Sequence, residues 1–209
     1  RLRQQRRHMV SQQQLRSTPC VTRDGTHITL LADCTSPEDI HDAIAVGADG
    51  VGLLLGEYRL AASAQDEDAQ YRFYCGCLEA ARGKPVYARV FDEAHGQPGP
   101  AMGLCGTRYC LENPEFFETQ LRALLRAGVL GNLYLLLPMV STRAEQDRAA
   151  EAVERAKAAL RERGTAFSET VPIGLSLDTP AAALTADELA RRAAFFHLNT
   201  DTLGEHTFA

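Results

Sequence analysis

Long hydrophobic runs are missing from this sequence. No stretch of about eighteen uninterrupted apolar residues occurs, which excludes an ordinary transmembrane helix. A surplus of positive charge is missing too. The 22 Lys and Arg face 27 Asp and Glu, a formal net charge of −5, whereas a generic nucleic-acid binder needs a basic face. A complete zinc ligand pattern is absent. Of the six cysteines Cys75 and Cys77 lie closest together, and neither Cys105 nor Cys110 completes a ligand pattern. With no signal peptide, and a chain too large to need disulfide staples, they read as reduced packing residues of a cytoplasmic protein. Lysine is nearly absent: only Lys84 and Lys157 occur among the basic residues, an arginine bias to which no function attaches.

What is present describes one domain. The 209 residues suffice for a single sizeable core. A hydrophobic content of 45% with 23% charged residues fits an ordinary globular chain. The length falls short of the ~250 residues of a complete (β/α)₈ barrel. The first 16 residues carry five arginines, and no acid precedes Asp24. A chain that opens on Arg1 in this way reads as the last turns of a polar helix arriving from something upstream. Residues 1–20 are therefore expected to be a connecting helix or linker, and residues 21–209 the domain proper.

Strand-like apolar runs alternate with helical patterns, which predicts βα units and a parallel sheet. Strands are expected over residues 28–32, 50–55, 85–90, 133–137, 172–177 and 195–198. An Asp24-Gly25 turn leads into the first of them. The first helix is expected over 37–46, with Ser36 as N-cap, Pro37 at N1 and Gly47 just past its end. Further helices are expected over 66–82, 114–127, 142–163 and 179–192. Gly83, Gly128, Gly131 and Gly164 act as stops. The stripe Leu121, Leu124 and Leu125 reads as core packing. A dinucleotide fold is disfavoured, because the turn after the first strand, Asp33-Cys34-Thr35-Ser36-Pro37, lacks the glycines that cradle phosphates. Periodicity alone leaves a doubly wound open sheet and a barrel lacking two units both open.

Seven segments choose between them. TRDGTHITLLADCTSPEDI, GADGVGLLLGEY, GKPVYARVFD, CLENPEFFETQLRALLRAG, LLLPMVSTRAE, IGLSLDTPAAALTADELA and FFHLNTDTLGEHTFA occur in this order. Together they resemble the C-terminal, phosphoenolpyruvate-binding barrel of the phosphoenolpyruvate–protein phosphotransferases, Enzyme I of the bacterial sugar phosphotransferase system. The resemblance implies an α/β chain of the (β/α)₈ TIM-barrel type with about six of its eight units present. It also implies binding of phosphoenolpyruvate and magnesium at the C-terminal face of the barrel. Phosphoryl transfer then runs to a histidine on a separate N-terminal domain and onward to a small phosphocarrier protein, in a cytoplasmic homodimer. Neither nucleic acid nor membrane insertion is expected.

Residue by residue, the resemblance leaves a thinned site. Arg89 ends the third strand and matches a substrate-binding arginine, followed by the matching Asp92; Arg108 matches another. The arginine of a G-L-F-R-T-E motif is Leu55, and that of a G-Y-R motif is Cys105, in Gly103-Leu104-Cys105. A G-G-D-K loop has become Ala94-His95-Gly96-Gln97. The metal-binding glutamate is Asp178. In place of T-N-D stands Thr200-Asp201-Thr202, which makes Asp201 both the substrate-contacting position and the candidate second magnesium ligand beside Asp178. The proton-donating cysteine of the family falls beyond Ala209. Phosphoenolpyruvate carries two anionic groups and needs planar cations and a hard divalent ion. Loss of one such arginine costs roughly 10³–10⁵ in rate. Impaired phosphoryl transfer is therefore expected, with no activity from this chain in isolation; the alternatives are a catalytically dead barrel used for binding or dimerisation, or a site for a different small acid. Each position also has a plainer role. The plainer roles pair Arg89 with Asp92 or Glu57, use Asp178 to help start the helix that follows, and leave His95, His197 and His206 packed or exposed without function.

Overall fold

Six strands carry the alternation: β1 (Leu31–Cys34), β2 (Gly50–Leu54), β3 (Val86–Arg89), β4 (Leu133–Leu137), β5 (Ile173–Leu177) and β6 (Phe196–Leu198). The computed structural model describes residues 18–92 and 104–208. Residues 1–17 of the expected connecting segment, and the loop that holds His95, Gly96, Gln97 and Gly103, lie outside them. Every strand pairs in parallel with its neighbour in sequence, giving the order β1-β2-β3-β4-β5-β6. The sheet curls into a partial (β/α)₈ barrel with helices outside. Among the described residues β1 and β6 each have one paired neighbour, so the curl stays open there. Its inner face encloses a cavity of about 350 Å³ between Leu31, Asp33, Gly52, Tyr87, Leu136 and His197.

The helices are α1 (Pro37–Ala45), α2 (Glu57–Leu60), α3 (Glu67–Ala80), α4 (Gly106–Glu112), α5 (Pro114–Ala127), α6 (Arg143–Glu162), α7 (Pro180–Leu184), α8 (Ala186–Leu189) and α9 (Thr200–Phe208). Local chemistry explains their starts. Ser36 Oγ accepts from the Asp39 N–H at 3.1 Å, and Pro37 occupies the first turn of α1. Thr142 and Glu145 form a reciprocal capping box at the head of α6. Gly47 and Gly164 follow the ends of α1 and α6 with φ of +105° and +62°, a left-handed region that favours glycine. No helix among the described residues is long and apolar enough to cross a membrane.

Two expectations are corrected. The first strand starts later than residue 28, because the Ile28 N–H donates to the Cys20 carbonyl at 2.8 Å and the Leu30 N–H to Asp49 Oδ2 at 2.8 Å. Those donors serve loops and are not available to a ladder. α5 ends at Ala127 with Gly128 as its C-cap, as expected, and a 3₁₀ turn, Gly128–Leu130, then runs on to Gly131, at φ +88°. The helix expected over 179–192 breaks into α7 and α8 at Thr185, whose hydroxyl bonds back to the Ala181 carbonyl at 2.9 Å.

α5 is the central outer helix, packed between α3 and α6. Leu121, Leu124 and Leu125 are fully buried on it, each contributing roughly 1.5–3 kcal/mol relative to exposure. Cys34, Cys77 and Cys110 are buried with this core. Glu67, first residue of α3, ties the ring together. Its Oε2 accepts from Arg122 at 2.6 Å and Arg163 at 3.1 Å, and its Oε1 accepts from Arg126 at 2.8 Å.

Candidate functional site at the strand ends

β3 ends on Arg89, whose side chain meets two carboxylates. One amino group donates to Glu57 Oε1 at the head of α2, and Nη1 faces Asp92 Oδ2 at 2.9 Å. The side chains are 15% exposed for Arg89, 8% for Glu57 and 25% for Asp92. Burial works against the guanidinium charge, yet the Glu57 and Asp92 carboxylates outweigh it and hold the Arg89 pKa above the ordinary arginine value. Glu57 Oε2 and Arg89 Nε are buried without a hydrogen-bond partner.

Beyond Val90, whose N–H still donates to the Leu136 carbonyl of β4 at 3.0 Å, the segment leaving β3 is held largely by side chains. The Phe91 N–H donates to Oε1 of the buried Gln120 at 3.1 Å, and Gln120 Nε2 donates to the buried Tyr74 hydroxyl at 2.8 Å. The Cys110 thiol donates to the Phe91 carbonyl at 3.5 Å, and the Gly106 N–H to the Asp92 carbonyl at 2.8 Å. Gly106 sits at φ +54°. A Cβ there would lie 2.9 Å from Asp92 Oδ1 and 3.0 Å from Met139 Cβ, so only glycine fits.

Met139, just past β4, has φ +60° and turns its N–H toward Asp178 Oδ2, 2.8 Å away. Asp178 is 3% exposed. Its Oδ1 accepts from Ser176 Oγ at 2.7 Å, and its backbone carbonyl lies 2.8 Å from His206 Nδ1 on α9. Ser176 Oγ is also 3.1 Å from His197 Nδ1. An arc of contacts thus follows the strand ends: Glu57 after β2, Arg89 on β3, Met139 after β4, Asp178 after β5 and His197 on β6. Gly106 is the hinge point where the Arg89 half touches the Asp178 half.

Arg108, on α4, lies beside this arc but is already engaged. Its Nε donates to Glu145 Oε1 at 2.9 Å and its Nη2 to Ser141 Oγ at 2.8 Å. Ser141 Oγ in turn lies 2.8 Å from Thr179 Oγ1. Thr179 is the N-cap of α7, the helix-starting role that Asp178 was expected to share. Asp201 is exposed in the first turn of α9. Both oxygens of the enclosed Asp178 accept protein hydrogen bonds, and the described residues contain no group of three or more His, Cys, Asp or Glu able to hold a metal ion. A hard divalent cation takes about six oxygens. Magnesium ordinarily keeps several waters and takes one or two protein carboxylates, and of the two expected ligands Asp178 is turned into protein hydrogen bonds while Asp201 stands exposed.

Leu55 is half-buried where the resemblance places an arginine, and Leu104 is exposed. Gln120, Ser141 and Glu145 went unnoticed in the sequence as members of this neighbourhood. Glu145 had one legible signal, its position three residues after Thr142 ahead of a helical pattern. Gln120 had none, since a polar residue on an amphipathic helix gives no hint that it is buried.

The fold is that of a parallel partial barrel, and its charged residues gather at the C-terminal ends of the strands, the face at which barrel enzymes place their active sites. The match to known proteins makes the class specific. Residues 10–209 match the family described as PEP-utilising enzyme, PEP-binding domain, and the chain belongs to that family. It is similar to phosphoenolpyruvate-protein phosphotransferases from several bacteria. Identity is 36% over 201 residues with the one from Geobacillus stearothermophilus, covering 90% of this chain and 35% of the relative. It is 38% over 213 residues with that of Cupriavidus necator, covering 94% and 36%. The Bacillus subtilis protein is 34% identical over 203 residues, covering 91% and 36%. The chain spans about a third of the length of these curated relatives.

Proposed function

We propose that this chain is the phosphoenolpyruvate-binding barrel of an Enzyme I-like phosphoenolpyruvate–protein phosphotransferase in which phosphoryl transfer is impaired. The complete reaction would pass the phosphoryl group to a histidine on a separate N-terminal domain and then to a small phosphocarrier protein, in a cytoplasmic homodimer. Membership of the family supports the ligand. The observation that carries the impairment is the shortage of cations: Leu55 and Cys105 stand where the resembled pattern has arginines, and Arg89, the one matched arginine on the strand-end arc, is paired with two carboxylates. Arg108 is committed to Glu145 and Ser141, and Leu55 supplies no charge. A trianionic ligand therefore meets few free donors, where each charge-assisted hydrogen bond contributes roughly 1.5–3 kcal/mol.

The test is calorimetric titration of phosphoenolpyruvate into the chain, with and without magnesium. A Kd of about 1 mM is expected, weakened further by Arg89→Ala, with no pyruvate released. Binding indifferent to Arg89→Ala, or rapid pyruvate release, overturns the reading. A second reading, a catalytically dead barrel used as a binding or dimerisation module, is favoured by β1 and β6 each having one paired neighbour among the described residues, since open strand edges invite pairing. It predicts a concentration-dependent dimer with no response to phosphoenolpyruvate.

A further inference from the structure

The two carboxylates on Arg89 are not equivalent. Glu57 is the more deeply buried, at 8% exposure, and breaking its pair would leave a charge stranded out of water. Asp92 is 25% exposed and lies at the rim. Its backbone is fixed by the Gly106 N–H, and the missing Gly106 side chain is what leaves room for its carboxylate beside Met139. The flanking Phe91 is clamped on both its N–H and its carbonyl by Gln120 and Cys110. Asp92 is therefore presented to Arg89 by a rigid turn and does not meet it as a wandering surface side chain.

We propose that Asp92 is a built-in competitor for the anion contact of Arg89, and so a specificity-determining residue of the strand-end site. An incoming phosphate or carboxylate reaches the Arg89 guanidinium by taking the Nη1 position that Asp92 Oδ2 holds. Glu57 stays in place behind it, fixing the plane of the guanidinium. Weakly charged acids are rejected because they do not outcompete a carboxylate already in position; a phosphate monoester, with more charge, does. The inference rests on the reading of Arg89 as an anion contact.

The experiment titrates inorganic phosphate, acetate and phosphoenolpyruvate into the whole chain and into Asp92→Asn, Asp92→Ser, Arg89→Ala and the Arg89→Ala/Asp92→Asn double variant. Circular dichroism and thermal melts confirm that each is folded. Asp92→Asn keeps the shape and removes the charge, and is expected to lower the Kd for phosphate and phosphoenolpyruvate about fivefold, the scale of one part-exposed ion pair. Acetate, weak or silent with the parent chain, is expected to become measurable, and Asp92→Ser to act in the same direction. The double variant loses the gain. If Arg89→Ala weakens binding but neither Asp92 variant strengthens it, the competitor role is wrong and the anion contact stands. If Arg89→Ala changes nothing, the underlying reading fails instead.

Discussion

Arg108 on α4 and Glu145 on α6 are joined by a 2.9 Å ion pair that also serves a helix cap. The same carboxylate accepts from the N–H groups of Ser141 and Thr142 through its other oxygen, at 2.8 and 3.0 Å. Glu145→Ala therefore removes a cap and a charge partner together. The expected loss is about 2.5–4 kcal/mol in urea unfolding, the sum of a typical cap and one charged hydrogen bond. Arg108→Ala should lose less, and a double-mutant cycle should return a coupling of about 1 kcal/mol. Strict additivity would show that the pair carries no energy.

Glu67 predicts how stability depends on pH. Burial raises its pKa, but hydrogen bonds and charge from Arg122 and Arg126, with Arg163 adding to them, outweigh this and hold the carboxyl below its ordinary range. A carboxyl depressed in the folded state contributes stability that is fully present above its unfolded pKa of about 4.3. That contribution disappears as pH falls through the folded value. Glu67→Gln should flatten the acid limb of the stability curve and lower stability at neutral pH by about 1.5–3 kcal/mol. An unchanged acid limb in urea melts at descending pH would remove Glu67 as its origin.

The thiols predict a labelling pattern. Burial, with the Asp39 and Asp33 charges adding to it, pushes the Cys34 pKa up to about 11, and burial raises Cys77 and Cys110 as well. These three should resist a maleimide at neutral pH until urea opens the core, because the thiolate is the reactive form. Mass spectrometry of the native protein is expected to find them unmodified. Rapid labelling of Cys77 would contradict the packing of α3 against α1.

Leu55 offers a gain-of-function test. Its N–H donates to the Cys34 carbonyl at 2.9 Å, which fixes its backbone beside the strand-end arc. Leu55→Arg should tighten phosphoenolpyruvate binding about tenfold, the value of one charge-assisted hydrogen bond. The effect should fade as salt is raised. No change in the calorimetric Kd would mean that the missing charge at this position is not what weakens the site.

The alternation of apolar runs with capped helices was readable because each signal is local. Pro114 marks the start of α5, Thr142 and Glu145 bracket the start of α6, and Leu133–Leu137 reads as a strand by composition alone. The breaks were not readable. Thr185 divides a helix where its hydroxyl bonds back to the Ala181 carbonyl, and Ile28 and Leu30 leave the sheet because Cys20 and Asp49 respectively offer their N–H groups other partners. The site was legible as a set of positions, and Arg89, Asp92 and Glu57 were visible as a potential trio. The grip on Phe91 was not, because it joins Tyr74, Cys110 and Gln120 from three separate helices. Nor was the left-handed Met139, for nothing about a methionine announces that conformation.

The strand order has a consequence of its own. In β1-β2-β3-β4-β5-β6 every hydrogen-bonded neighbour is also the next strand along the chain, so each crossover unit completes its own pairing before another begins. A ladder of this kind is divisible. Cutting the connection between α5 and β4 would separate two pieces that each retain three adjacent strands, to be rejoined along a seam made of the β3–β4 ladder and the packing of α4 and α5 on α6. Co-expression of the two halves is the natural way to ask how much of the barrel's cohesion lies in that seam.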